Sequence, residues 1–364
     1  MGRTAKAAVV REVGGPYSIE SVELDDLRPD EVYVRVEAAG VCHTDANMQV
    51  MVPMPAVLGH EGSGIVEEVG AAVDYVKPGD RVIISWPACG VCPNCLTGRR
   101  YICDNAFPLL FSGRRLDGSQ TIKLGGEWIS GSWFQQSSFA TYALTPVESL
   151  VKVEDDIPPE ILAALPCGAM TGAGAVVSAL QVGPQDGLLV LGGGGVGLSA
   201  VMAAHMAGAY PIIVVDVNTE RLALALELGA THAVNAAEED AAARVQEISP
   251  GGVRYAFDSS GVVASWKVAA VSVRAGGIFG VCAAVEQETL GGSPHIMLSK
   301  GNRIQFIMGG SVVPRVFLPK MIEWYRQGRF PVDRLVKTFP FSQINEAFAA
   351  AHHGDAVKPV LLMP

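Results

Sequence analysis

Residues 188–197 read LLVLGGGGVG, and this run constrains the fold more than any other part of the chain. An apolar strand passes directly into Gly192-x-Gly194-x-x-Gly197 and then into the helical run LSAVMAAHMAGA. In such a turn the first glycine permits the sharp bend. The second lets a pyrophosphate approach the backbone, and the third lets the helix pack on the strand. Gly195 and Val196 complete the turn, and the free N–H groups at the helix start suit phosphate oxygens. The next apolar burst, IIVV, ends at Asp216, 24 positions after Gly192 (216 − 192). A carboxylate there accepts bonds from ribose hydroxyls and repels a 2′-phosphate, so the expected cofactor is NAD and not NADP. Arg221, five residues on, is placed on the adenine side, with a solvated helix arginine as the plainer alternative.

The rest of the chain is consistent with that commitment. From about residue 169, apolar bursts alternate with alanine-rich stretches: Leu188–Leu191, Ile212–Val215, Ala233–Asn235, Tyr255–Asp258, Ile278–Val281 and Gln305–Met308. Six strands with helices between them predict a doubly wound parallel α/β sheet of the Rossmann type. The first part has short β-like segments at Lys6–Val10, Val32–Ala38, Gly64–Val69 and Arg81–Ser85, separated by turn signals such as Lys77-Pro78-Gly79-Asp80. It predicts a compact, mostly β domain. The terminal KPVLLM reads as that domain's last strand. The expected organisation is residues 1–168, then 169–307, then a return segment 308–364.

The 364 residues suffice for two domains, and an apolar fraction of 49% fills real cores. A formal charge of −10, without a basic block, argues against a nucleic-acid or anionic-membrane partner. The most apolar stretch, Leu188–Val217, is broken by Gly192–Gly195, His205, Pro211 and Asp216, so it reads as strand, turn, helix and strand and not as a membrane span. The N-terminus enters a strand at once, without a signal peptide's long apolar core. Cysteines clustered as metal ligands fit a reducing compartment, the cytoplasm.

Cys89, Cys92, Cys95 and Cys103 fall within CGVCPNCLTGRRYIC. Four thiols at this spacing can converge on one tetrahedral zinc, and a closed four-sulfur set is a structural site. Gly90, Pro93, Asn94 and Gly98 supply the turns of such a lobe, residues 87–105. A second candidate set is scattered: Cys42 in GVCHTD, His60 in GHE and Cys167 in PCG. Two sulfurs and an imidazole would leave a tetrahedral zinc with one open position, the catalytic pattern. Spacing alone does not bring these three together.

Taken together, GVCHTD at 40–45, GHEGSGIVEEVG at 59–70, PGDRV at 78–82, the cysteine lobe, CGAMTGAGA at 167–175, GGGGVG at 192–197 and the strand ending in Asp216 resemble the zinc-dependent medium-chain alcohol dehydrogenases over essentially the full length. Within that family, QSSFATYAL at 136–144 and YRQGRFPVDRLVKTFPF at 325–341 look most like the bacterial benzyl (aryl) alcohol dehydrogenases. The resemblance implies a GroES-like catalytic domain carrying the zinc lobe, two zinc ions per subunit, and NAD. It implies oxidation of a primary aryl alcohol to the aldehyde, with zinc activating the alcohol oxygen and hydride passing to NAD. It also implies a homodimer or homotetramer.

By the same resemblance, Thr44 receives the alcohol proton, Asp45 orients His60, and Glu61 is a carboxylate near the metal. Thr171 packs near the nicotinamide, and Lys358 contacts the pyrophosphate. Trp86, Trp133, Phe134 and Ile307 line the substrate cleft. Two positions depart from the family pattern. Asn47 stands where many relatives have a relay histidine, and His43 where many have a phosphate-binding arginine. His43 is therefore expected to touch the phosphate and to serve as the relay base, with phosphate contact alone as the alternative. Terpenoid alcohol dehydrogenase and thiol-dependent formaldehyde dehydrogenase are competing enzyme readings. A nucleotide-binding structural protein is the non-enzyme reading.

Overall fold

The computed structural model describes residues 2–283 and 294–364. The chain forms two units. One holds Met1–Cys167, Val313–Lys320 and Val332–Pro364; the other holds Gly168–Val312 and Met321–Pro331. The return therefore differs from the single pass expected at 308. It begins at Val313, and Met321–Pro331 counts again with the second unit. In sequence the helix Pro314–Arg326 is one continuous amphipathic element, and periodicity does not say which core its last turn joins.

The first unit contains two sheets. In the larger, the order is Leu150–Val153, Arg81–Ile84, Gly62–Val69, Glu31–Gly40, Lys358–Leu362 and Val336–Pro340, with Tyr142–Pro146 also on Glu31–Gly40. The central strand Glu31–Gly40 is buried almost throughout, which fits its valine-rich run. The terminal strand joins it antiparallel, Val360 opposite Gly40. The second sheet is built on Thr4–Val10 and Tyr17–Leu24. Val34, Val36, Leu58, Ile84, Trp133, Phe139 and Leu361 belong to the main core.

The second unit is a six-stranded parallel sheet in the order His232–Asn235, Ile212–Asp216, Leu188–Leu191, Val253–Asp258, Val273–Val281 and Arg303–Phe306. Leu188 lies opposite Ile212 on one side and Tyr255 on the other, so the glycine-motif strand is central. This is the doubly wound order with its switch point beside the first strand, where such sheets bind ligands. Asn218 caps the helix Thr219–Glu227, and Asp240 caps Ala241–Ile248, each accepting two backbone N–H bonds.

The helical run Pro159–Ala179 is long and apolar enough to cross a membrane by composition, yet 72% of its most apolar window is buried inside the protein. It contains two π-helical turns, Leu165–Ala169 and Ala175–Ala179, and the first carries Cys167.

Candidate catalytic metal site and dinucleotide turn

Cys42 lies at the N-cap of the short helix His43–Asn47, directly after the central strand. His60 precedes the strand Gly62–Val69 and follows Gly59, which has φ 92°; a Cβ there would lie 2.5 Å from the Phe139 nitrogen, so only glycine fits. Cys167 arrives from the π-helical turn. The three side chains converge: the two sulfurs are 4.0 Å apart, and His60 Nε2 is 3.3 Å from the Cys167 sulfur. Tetrahedral zinc with thiolate bonds of about 2.3 Å has sulfur–sulfur edges of about 3.8 Å, so the donor set fits the ion. Glu61 adds a fourth donor; all four ligand atoms lie within 4.8 Å of one another.

His60 Nδ1 is 2.8 Å from Asp45 Oδ1, which also accepts from Gly59 N at 3.2 Å and from the Trp133 indole at 2.9 Å. Donation of Nδ1–H to a carboxylate leaves Nε2 free to ligate. The hydrogen bond with Cys167 holds the Cys42 thiol well below its ordinary range, and the same bond, with burial, pushes Cys167 well above. Burial pushes the Glu61 carboxyl up to about 7, against the pull of Lys358.

Lys358 was expected on the pyrophosphate. It is instead buried, its ammonium paired with Glu61 and donating to the Val41 carbonyl at 3.3 Å. A charged amine taken out of water must find a carboxylate, and Glu61 is the one at hand. Trp133 also departs from expectation. It is 0% exposed and hydrogen-bonds Asp45, so it stands behind the metal ligand and is not a cleft wall. Phe134 stacks on the His60 ring, centroids 4.4 Å apart. Trp86 is half-buried and lines a small cavity with Ala88, Arg100, Ser149 and Arg315. Thr44 is half-buried in the helix after Cys42, and His43 is exposed at that helix's first position.

In the lobe, Cys89–Cys95 and Cys92–Cys103 sulfur distances are 3.9 and 4.0 Å, again close to tetrahedral edges. Backbone N–H groups of Cys89, Cys95 and Asp104 point at the sulfurs of Cys103, Cys92 and Cys92. These bonds stabilise thiolates, the form a metal needs.

In the second unit, Gly192 has φ 95°, which makes the turn. A Cβ on Gly197 would lie 1.8 Å from the Gly192 carbonyl, so the helix sits directly on the strand end. A Cβ on Gly194 meets nothing within 4 Å, leaving open space over the turn for a phosphate group. Gly195 and Val196 form the first helical turn. Asp216 accepts from Gly193 N at 2.5 Å and from Val217 N and Asn218 N, so its charge stands beside the turn. The Arg221 side chain also starts there: a Cβ on Gly193 would be 3.3 Å from Arg221 Cβ. Thr171 lies on the helix Met170–Gly174, whose Gly172 backs onto the Val196 carbonyl. Ile307 is buried and donates its N–H to Val281.

Gln136 bridges the His60 carbonyl and the Gly62 N–H, and its signal, like those that pair Lys358 with Glu61 and Trp133 with Asp45, is absent from local sequence. Each pairs residues far apart in the chain.

A three-ligand metal set and a dinucleotide turn are what a metal-assisted dehydrogenase requires, and the chain is of that class. The family described as "Alcohol dehydrogenase GroES-like domain" matches residues 28–155, and "Zinc-binding dehydrogenase" matches residues 195–327. Geraniol dehydrogenase of Castellaniella defragrans is 42% identical, over 99% of this chain and 98% of its own. The solved structure of an alcohol dehydrogenase zinc-binding domain protein from Burkholderia ambifaria is 43% identical with a TM-score of 0.95, each chain covered completely. Benzyl alcohol dehydrogenase from Acinetobacter calcoaceticus is 37% identical with a TM-score of 0.91, again over both full chains. The chain belongs to the zinc-dependent medium-chain alcohol dehydrogenase family.

Proposed function

We propose that this alcohol dehydrogenase oxidises primary alcohols whose carbinol carbon is bonded to an sp² carbon, with benzyl-type alcohols first, and uses NAD. The observation that carries the reading is the aromatic character of the metal's surroundings, where Phe134 packs on His60 and Phe111 packs on Phe134. Aromatic, apolar surroundings of this kind favour a planar apolar substituent beside the reacting carbon. Similarity to both benzyl alcohol and geraniol dehydrogenases supports the same feature, because both alcohols are activated by an adjacent unsaturated carbon. Allylic terpenoid alcohols are therefore the second reading.

Of the four grouped donors, Cys42, His60 and Cys167 would hold the zinc; Glu61, ion-paired with Lys358, would leave the fourth position to the substrate oxygen. When bound, zinc supplies Lewis acidity at that oxygen, and NAD supplies the hydride acceptor. Asp45 holds the imidazole in the ligating tautomer. Thr44, in the turn after Cys42, takes the alcohol proton. Asn47 does not titrate near neutral pH, so His43, exposed at the same helix start, passes the proton to water. The Asp216 carboxylate selects NAD by repelling a 2′-phosphate.

The assay is NAD-linked kcat/KM for benzyl alcohol, geraniol and ethanol on zinc-replete protein. The expected order has benzyl alcohol above ethanol by at least about 100-fold, about 2.7 kcal/mol of transition-state discrimination. A ratio near one discards the substrate class. Geraniol ahead of benzyl alcohol selects the terpenoid reading.

A further inference from the structure

The turn at residues 133–136 packs around His60. We propose that residues 133–136 form a bracket that fixes the orientation of the His60 imidazole, with Trp133 and Gln136 as positioning residues. The inference rests on His60 being a zinc ligand. Trp133 acts through Asp45: its indole N–H donates to the Oδ1 that also takes His60 Nδ1–H and the Gly59 N–H. Three donors on one oxygen pin the carboxylate. The second oxygen, Oδ2, is buried with no hydrogen-bond partner, so the bonding of this carboxylate is concentrated on the one oxygen that faces His60. Phe134 covers the ring face, 26° from parallel. Gln136 clasps the backbone on both sides of Glu61, donating from Nε2 to the His60 carbonyl at 2.9 Å and accepting at Oε1 from Gly62 N at 3.1 Å.

The bracket is rigid because it is overdetermined. Phe134, Gln135 and Ser137 have φ of 49°, 55° and 47°, a conformation that side-chain-bearing residues rarely adopt. Such backbone persists only when its surroundings impose it. Here Ser137 Oγ donates to the Val57 carbonyl at 2.6 Å and accepts from Trp133 N at 3.0 Å. Gln135 Nε2 donates to the carbonyls of Leu109 and Arg114 at 3.2 and 2.8 Å. The Phe111 ring meets both Trp133 and Phe134 edge-on. The imidazole is therefore held at Nδ1 by Asp45, which Trp133 fixes, at its ring face by Phe134 and at its backbone by Gln136, and Nε2 is left to the metal.

The test is zinc release from full-length, zinc-loaded protein to a chromogenic chelator, 4-(2-pyridylazo)resorcinol. Wild type should release two zinc ions per chain, and the four-cysteine lobe serves as the internal reference. Trp133→Phe removes the indole donor and keeps an aromatic ring. It should speed release of the zinc at His60 by about tenfold and leave the lobe phase unchanged. Gln136→Met, which removes the backbone clasp by a different bond, should act in the same direction and carries the test if Trp133→Phe does not fold. Release at the wild-type rate in both variants overturns the bracket, as does equal acceleration of both phases. A wild-type protein whose zinc content is unchanged by His60→Ala would overturn the metal-site reading itself, and the bracket with it.

Discussion

Two alanine substitutions three residues apart should fail in different ways. A Cβ at Gly197 would lie 1.8 Å from the Gly192 carbonyl, where real contacts do not fall below 3.0 Å. The helix start must then retreat by at least 1.2 Å (3.0 − 1.8), and the obstacle is backbone, which cannot rotate away. Overpacking of this kind costs about 1–3 kcal/mol, so Gly197→Ala should lower the thermal midpoint of the second unit. At Gly194 the backbone has φ −79°, ordinary for any residue, and the added methyl meets no protein atom within 4 Å. Gly194→Ala should therefore fold with no more than about 1 kcal/mol lost at the helix N-cap. If the space over Gly194 is where the dinucleotide phosphate lies, the methyl excludes it, and NADH affinity should fall by about 10–100-fold, equivalent to about 1.4–2.7 kcal/mol. Differential scanning calorimetry gives the stabilities, and titration of NADH fluorescence gives the affinities. A Gly194→Ala protein that binds NADH like wild type refutes the placement of the cofactor over this turn. A Gly197→Ala protein as stable as wild type refutes the close-packing argument.

Arg115 is buried against Glu31, itself 7% exposed, and also bonds Asp25, so Arg115→Leu should strand a buried carboxylate and cost about 3–5 kcal/mol by chemical denaturation. The double change Arg115→Leu with Glu31→Gln should recover part of that loss, and no recovery would show that packing of the guanidinium, not charge, is what was lost. Cys92→Ser should reduce bound zinc from two to one per chain, with the remaining ion at Cys42, His60 and Cys167. Measurement by plasma emission after dialysis checks this, and retention of both ions would contradict the closed four-sulfur lobe.

What the sequence disclosed depended on whether the signal was local. The central parallel strands are legible as apolar bursts bounded by turn residues, and Leu188–Leu191 has the bounds expected; the edge strand Arg303–Phe306, mostly exposed, begins two residues before the expected Gln305. Val273–Val281 begins five residues before the expected Ile278, because Gly276 and Gly277 inside it read as a turn. Tyr17–Leu24 intersperses apolar residues with Ser and Glu and contains no apolar burst. The four-cysteine lobe lies within fifteen residues and could be read directly. Cys42, His60 and Cys167 meet only through strand pairing and helix placement, so the resemblance was needed to unite them. Trp133 reads as a cleft wall because two adjacent aromatics in sequence carry no information about which one faces a cavity. Only the left-handed turn, invisible in composition, sends one toward Asp45 and lays the other on the imidazole.

The π-helical turn at Leu165–Ala169 has a consequence for how this site tolerates change. Such a turn holds one residue more than an α-helical turn, and each residue advances the helix by about 100°. The angular phase of Cys167 relative to the residues before it is thus set by residue count. Most substitutions along 159–166 leave that phase intact. Deleting one residue there would straighten the turn, relax its hydrogen bonding, and swing the thiol about a quarter-turn from His60 and Cys42. Along this segment, length is under stricter constraint than identity.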